Sequence, residues 1–589
     1  MLHHAWARHV LHMAALSCAL GLAVTAFADE AAAPTVGSPN VATADPSVPR
    51  PSAKPCVVQL FSNETYNDFS NHTFSYAPPS GCQGNWSKVV LEADFSVTAG
   101  RQFDRTANIW IGGVNIYFGT TAEPSATVSP SWHVERDLTD YTALLKSPQQ
   151  GQSLIGNIVD DTYTGVIHGS ARLLFYPGKP AAAPADAVYP LGSDPVGSTT
   201  TLNTPSDTLA KTLTLPRNVE KAYLDVFAQS QIGDEFWYTC VPDQYAATVE
   251  ECGGGNFRET EISIDGQPAG VAPVYPWVYT GGIDVYMWRP APGVQTLNFM
   301  PYRVDLTPFA SVLSDGQPHQ VALSVAGANN YFSATATLLV YQDTHSKQIT
   351  GKLTRNTLIG QPPTPKIGDT LQVDDQGNVT GAITTDVSRQ FTIEGYADTS
   401  HGRVQSTVTQ TVGFADTQTF TINATTYRQV TNQTTTVNSV SQSKIGRLIT
   451  AEYRESLSYP FYLDYNQTAN DDGTINVAST VKQGYQKHLA HRLLGIDLFT
   501  ADIANAISTG DTLLVGTNGL VTSHSGQQST QDFNYTDSLL GCYKTSLSTQ
   551  AGLLTAYTQG KGCLGGRNRV SWFTHPDGSP DGGNVSLIW

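Results

Sequence analysis

Charge is scarce in this chain. Asp, Glu, Lys and Arg make up 14% of its 589 residues, well below the roughly 25% of an average globular domain. That scarcity excludes a coiled coil and an acidic disordered chain, both of which depend on charge. Basic residues are the scarcer kind, with Lys+Arg 33 against Asp+Glu 50 and a net charge of −17. A surface of that sign repels phosphate and argues against nucleic acid as a partner. Beyond the N-terminus no segment reaches the ~18 consecutive apolar residues of a membrane span. No Cys-x-x-Cys occurs, which argues against a zinc ribbon or a thioredoxin-like site. G-x-S-x-G, H-E-x-x-H, the P-loop and the Rossmann glycine pattern are also missing. No metal and no cofactor is expected.

What is present points outward from the cell. Arg8 precedes an apolar run ending in Ala26-Phe27-Ala28, a small-x-small cleavage pattern before Asp29-Glu30. Residues 1–28 therefore read as a signal peptide, and a secreted or periplasmic protein is expected. Of the 7 Cys, Cys18 falls in that segment, leaving Cys56, Cys82, Cys240, Cys252, Cys542 and Cys563. An even count in an exported chain suggests disulfides. Sequence proximity favours Cys56–Cys82, Cys240–Cys252 and Cys542–Cys563, with other pairings open.

The length suits about three or four domains. Residues 29–55 read as a flexible leader, 56–180 and 208–345 as two similar units separated by a Pro/Ala/Gly/Ser-rich linker at 181–207, and 346–589 as a β-rich C-terminal region. Polar/apolar alternation and frequent Gly, Pro, Asn and Asp predict a mostly β protein with a little helix. The one helical candidate is 483–507, and His488-x-x-His491 on it reads as a surface pair. The two units look like a repeat. Phe103-Asp104-Arg105 leading into Thr106 to Gly113 lines up with Asn256-Phe257-Arg258 leading into Glu259 to Gly266. Asp137-Leu138-Thr139 lines up with Asp305-Leu306-Thr307. Two tandem jelly-roll-like antiparallel β-sandwiches explain this pattern.

Acidic and aromatic residues cluster beside arginines in three places: at Phe103-Asp104-Arg105, at Asp234 to Tyr238, and at Phe257 to Glu261. By strand parity, Glu259 and Glu261 lie on the face that carries Asp104 in the first unit. The two units can then offer acids to a shared interface. Taken singly, such acid–arginine pairs are more often surface ion pairs, Trp237 and Trp288 are more often core, and Glu123 is ambiguous. These patterns alone fit a two-carboxylate hydrolase or a sugar-binding sandwich.

Several blocks in order resemble the peptide-N-glycosidase A family. They are Gly100 to Trp110, Thr120 to Pro124, Trp132 to Tyr141, Phe257-Arg258-Glu259, Tyr279 to Ile283, Trp288-Arg289-Pro290 and Tyr302 to Phe309. The resemblance covers about 57–345 and implies hydrolysis of the amide that joins asparagine to the glucosamine of an N-glycan. N-glycosylated peptides and glycoproteins would be the substrates. It further implies a bacterial, acid-active member with its site between two jelly rolls; a monomer is expected, with the oligomeric state left open by the sequence. A flavobacterial relative carries its essential carboxylate in a Trp-Asp-Arg-Tyr-Ala-Asn motif, which Phe103 to Asn108 matches with two changes. By that likeness Asp104 is the principal catalytic residue, and Glu235 and Glu259 are candidates for the second acid, which is missing from its matching position. Arg105, Trp237, Arg258, Glu261, Trp288, Arg289 and Glu123 are the expected substrate-binding residues. The rival readings are a non-catalytic glycan-binding protein and a two-carboxylate glycosidase.

Overall fold

The computed structural model describes residues 33–180 and 182–569. The segment read as a signal peptide lies outside the described residues.

Strand alternation builds the first roll. Along Trp86–Val97, the side chains of Val89, Leu91, Ala93, Phe95 and Val97 all enter one core. That strand lies in a four-stranded antiparallel sheet ordered Cys56–Tyr66, Ile167–Pro177, Trp86–Val97, Ser131–Asp137. The facing sheet is ordered His72–Tyr76, Gln149–Ile155, Thr106–Ile111, Val114–Thr120 and contributes Ile109, Ile111 and Tyr117 to the same core. Each such buried aliphatic or aromatic side chain contributes about 1.5–3 kcal/mol.

The second roll repeats this plan strand for strand. One sheet runs Thr200–Leu202, Phe332–Gln342, Val219–Ser230, Tyr302–Asp305, and the other Leu209–Thr214, Pro318–Ala326, Glu259–Ile264, Gln267–Pro273. Thr106–Ile111 and Glu259–Ile264 hold equivalent positions, as the sequence repeat predicts. The fold is thus two jelly-roll-like sandwiches followed by a long C-terminal sheet.

Three readings need correction. Residues 181–207, expected to be a linker, contain Ala187–Pro190 and Thr200–Leu202, and both strands pair with Phe332–Gln342. Residues 33–55, expected to be a flexible leader, form a packed strap. Ala42 and Ala44 are buried, the Gly37 N–H donates to Leu554 O at 2.7 Å, and the Ala42 N–H donates to Pro290 O at 3.1 Å. The predicted helix at 483–507 is instead an antiparallel hairpin of Ile475–Leu493 and Ile496–Val515, which turns at Gly495 (φ 82°). Apolar residues crowd its tip, while polar Gln483, Lys487 and Asn505 take inward positions; together they hide the two-residue period.

That hairpin belongs to a twelve-stranded antiparallel sheet of long strands, among them Val379–Thr399, Gly402–Asn423 and Leu448–Ala469. Its inward face is rich in glutamine for a physical reason. The loops of the second roll point carbonyls at it, and a buried carbonyl needs a donor. The Gln418 amide donates to Tyr238 O, Thr239 O and Cys240 O at 3.1–3.2 Å. Gln483 donates to Pro276 O at 2.7 Å and accepts from the Val294 N–H at 2.8 Å. These are the loops that carry the candidate site. Disulfides join Cys56–Cys82, Cys240–Cys252 and Cys542–Cys563, as sequence proximity suggested. Among the described residues no helix is long and apolar enough to cross a membrane.

Candidate active site

The two rolls meet through backbone hydrogen bonds, which fixes what faces what across their junction. From the strand Val114–Thr120 the Phe118 carbonyl accepts the Phe299 N–H at 2.8 Å, and the Thr120 N–H donates to Thr296 O at 3.0 Å. At the open end of this hairpin, Asp104 precedes one strand and Glu123 follows the other. The Asp104 N–H donates to Glu123 Oε1 at 3.0 Å. The Arg105 N–H donates to Thr121 Oγ1 at 2.9 Å, and the Thr280 hydroxyl from the second roll donates to Thr121 O at 2.7 Å. Thr280 thereby presents Gly281 to the carboxyl pair. A Cβ on Gly281 would sit 2.5 Å from Asp104 Oδ1 and nearer still to Glu123 Oε1, so glycine lets the loop close over them without displacing either carboxyl.

Glu235 completes an acidic group. It follows the turn Ile232–Asp234, and its position is set by its neighbour Asp234. The fully buried Asp234 carboxylate accepts the N–H groups of Asn329, Asn330 and Tyr331 and pairs with Arg258 at 2.8 Å. Burial raises Glu235 to about 7, helped by the Asp104 charge. Burial, then the Asp104 charge, raises Glu123 to about 8, while Asp104 itself is raised by burial and relieved by its bond to Glu123 and by Arg105. Two carboxyls this close are hard to ionise together, and because their mutual contact raises Glu123 while it lowers Asp104, the proton is favoured on Glu123.

Two guanidinium groups flank the pair. Arg289 donates to Pro124 O at 2.7 Å and lies 3.8 Å from Glu123; Arg105 donates to Gln102 Oε1 at 2.8 Å. The Nε of each is buried without a hydrogen-bond partner in the protein. An unpaired buried donor is costly unless a ligand accepts from it. Beside Asp104, the half-exposed Phe103 ring lies 5.2 Å from the Tyr163 ring, with Arg101 over both.

The family model described as Peptide N-acetyl-beta-D-glucosaminyl asparaginase amidase A matches residues 46–358. The chain belongs to this family. A model of the PNGase_A C-terminal domain matches residues 382–461 of the long sheet. Peptide-N4-(N-acetyl-beta-glucosaminyl)asparagine amidase A of Prunus dulcis is 28% identical over 527 residues, spanning 85% of this chain and 88% of that protein. Among solved structures, PNGase F, a glycosylasparaginase from Flavobacterium meningosepticum, is 15% identical with a TM-score of 0.34, over 49% of this chain and 97% of its own. PNGF-II is 13% identical with a TM-score of 0.35, over 49% and 66%.

In this family member, the residues singled out from sequence separate into two groups. Asp104, Glu123, Glu235, Arg105 and Arg289 gather at the junction of the rolls. Glu259, Glu261, Arg258, Trp237 and Trp288 do not. Glu259 is buried against Arg389 of the C-terminal sheet, and Glu261 pairs with the same guanidinium at 2.5 Å. The parity argument placed these acids on the right strand but assumed that equivalent faces meet. Thr106 of the first roll does meet a partner from the other roll, accepting from Gln231 at 3.0 Å. Its equivalent, Glu259, is covered by the C-terminal sheet instead. Arg258 is spent on Asp234 and is buried. Trp237 is 0% exposed, so it has no face to offer a sugar. Trp288 is buried too, and its indole N–H donates to Gly282 O at 2.8 Å, which shapes the glycine loop.

Glu123, read from sequence as a binding residue, lies at the centre of the site. Sequence reasoning missed Tyr163, Tyr286 and His524, none of which stands in a recognised block with an acid or arginine beside it. Among the described residues, Glu92, His133 and Glu135 are the group close enough to share a metal ion. They are already neutralised: Arg50 pairs with Glu92 at 2.9 Å and with Glu135, and Arg172 pairs with Glu92 at 2.5 Å.

Proposed function

We propose that this chain is an exported amidase that removes N-glycans from glycopeptides and glycoproteins, with Asp104 and Glu123 as its reacting carboxyls. The observation that carries the assignment is the buried Asp104–Glu123 pair, closed over by Gly281 and flanked by two arginines with unpaired donors. Family membership supplies the reaction class, and the three disulfides support export.

An amide is a weak electrophile with a poor leaving group, so both ends of the bond need help. Asp104, the ionised member, takes a proton from water as its oxygen attacks the side-chain carbonyl carbon of the glycosylated asparagine. Arg105 Nε or Arg289 Nε donates to the oxyanion that forms. Glu123 gives its proton to the glycosylamide nitrogen as the C–N bond breaks. The products are an aspartate-containing peptide and a glycosylamine; one water is consumed, and the proton held by Asp104 restores Glu123. Glu235, raised to about 7 by burial and by the Asp104 charge, is protonated in the acid range and lies beside the pair as a further carboxyl.

The test is hydrolysis of a defined N-glycopeptide in 18O-labelled water. Free glycan, together with an aspartate carrying the label, is the expected result. A product that keeps a sugar on asparagine would mean glycosidic cleavage, and no product at all would mean a binding protein. In Asp104→Asn turnover is expected to fall about 10²–10⁴-fold; near-normal turnover would overturn the assignment.

A further inference from the structure

The turn that carries Arg289 is gripped from outside the two rolls. The segment Val285–Trp288 packs on the strands Ile496–Val515 and Val521–Asp537 of the C-terminal sheet. The Thr509 hydroxyl donates to Met287 O at 2.8 Å. The Tyr286 ring lies flat on the His524 imidazole, with centroids 3.7 Å apart and planes 12° apart. His524 Nδ1 is 2.9 Å from Asp511 Oδ2, which fixes the imidazole plane. The Arg289 guanidinium sits 5.3 Å from the centre of the same Tyr286 ring, a cation–π distance. From there it reaches Pro124 O and Glu123 of the first roll. Pro39, Val41, Glu123, Arg289, His524 and Leu553 line one cleft, so strap, first roll, second roll and C-terminal sheet all contribute walls.

We propose that His524 and Tyr286 are positioning residues, a stack through which the C-terminal sheet holds Arg289 against Glu123. The inference rests on the reading of Asp104 and Glu123 as the reacting carboxyls. A long, jointed side chain such as Arg289 has several rotamers, and a flat ring restricts it to those that bring its charge to Glu123. Once the stack is lost, Arg289 spends less time near Glu123, and Glu123 then binds its proton more tightly. The charged groups around the stack are Asp511 on the sheet, Asp284 and Arg289 on the turn, and Glu123 on the first roll. Asp284 is occupied in capping the turn, accepting the Tyr286 N–H at 2.9 Å.

The experiment compares wild type, His524→Ala, His524→Phe, Tyr286→Ala and Asp104→Asn on one glycopeptide across a pH series, with a thermal melt of each. His524 itself is partly exposed but partners the buried Asp511 carboxylate, so His524→Ala and His524→Phe are both expected to melt below wild type, and the comparison between these two variants separates the ring stack from that shared loss. His524→Ala and Tyr286→Ala are expected to lower kcat roughly three- to tenfold and move the alkaline limb of the profile upward. His524→Phe keeps a flat ring and is expected to recover most of the loss. A purely structural role predicts neither the shift of the limb nor the rescue. If His524→Ala matches wild type, or His524→Phe is as impaired as His524→Ala, while Asp104→Asn is inactive, the positioning role is overturned and the carboxyl assignment stands. If Asp104→Asn turns over normally, the carboxyl assignment fails and the positioning role fails with it.

Discussion

Replacing Gly281 with alanine adds one methyl group against the carboxyl pair. Its Cβ would lie 2.5 Å from Asp104 Oδ1, nearer still to Glu123 Oε1, and 3.2 Å from Glu123 Cδ. Ordinary contact begins at 3.4 Å, so Asp104 Oδ1 must retreat by about 0.9 Å. The backbone adds no penalty, because Gly281 lies outside the positive-φ region. The whole effect is therefore a matter of space. Overpacking by one methyl costs about 1–3 kcal/mol, and the half-buried loop can yield toward solvent, so the fold absorbs it with Tm lowered by no more than about 4 °C. The chemistry tolerates less. A misplacement of about 1 Å at the reacting groups costs around 10²-fold, and a loss of that size in kcat is expected. The assay is glycan release from a glycopeptide, with the melt run on the same sample. A Gly281→Ala protein with wild-type kcat and an unchanged melt would refute the placement of the reacting groups under this loop.

Activity is expected to fall as pH rises through about 8, where Glu123 loses the proton it holds; a profile flat to pH 10 would contradict this role. The same raised pKa predicts a stability effect of definite sign. A carboxyl that binds its proton more tightly when folded loses stability as pH climbs from the usual carboxylate range toward about 8. Glu123→Gln removes that loss, so its Tm is expected to gain on wild type between pH 5 and pH 8. Arg389→Met leaves Glu259 and Glu261 facing each other without their shared cation and is expected to destabilise by about 3–5 kcal/mol in denaturant unfolding. Glu259→Gln keeps a hydrogen-bonding partner for Arg389 and is expected to hold kcat/KM near wild type; a loss like that of Asp104→Asn would return Glu259 to the site.

Legibility from sequence tracked how local each feature is. The repeat was readable because each roll repeats its own strand order, so Phe103 to Gly113 and Asn256 to Gly266 carry the same alternation and the same glycine turn. Asp104 was readable because it stands in a contiguous block beside Arg105. The disulfides were readable because each closes a short loop. The hairpin at 475–515 was misread because its inward positions hold Gln483, Lys487 and Asn505, whose partners (Pro276 O, the Glu455 carboxylate and the Asp45 carboxylate) lie on other segments of the chain. An inward glutamine looks like a surface residue until the carbonyl it serves is known.

Sorting the acids and arginines by role was beyond the sequence. Asp104, Glu123, Glu235, Glu259 and Glu261 differ little as local patterns, yet three converge and two are bound to Arg389. The difference comes from which faces are covered, and the covering elements lie more than a hundred residues away. Trp237 and Trp288 show the same limit, since an indole that could stack on a sugar is indistinguishable in sequence from one the C-terminal sheet helps to enclose. The sparse charge and the alternation were enough for the sequence to determine a β-rich protein of two related rolls, and the family likeness around Asp104 marked that carboxylate as the candidate. Only the tertiary structure decided that carboxylate's partner, because Glu123 is brought to it by the hairpin and both are closed in by Gly281 from the second roll. Burial and proximity, which set who holds the proton, exist only once those distant segments pack.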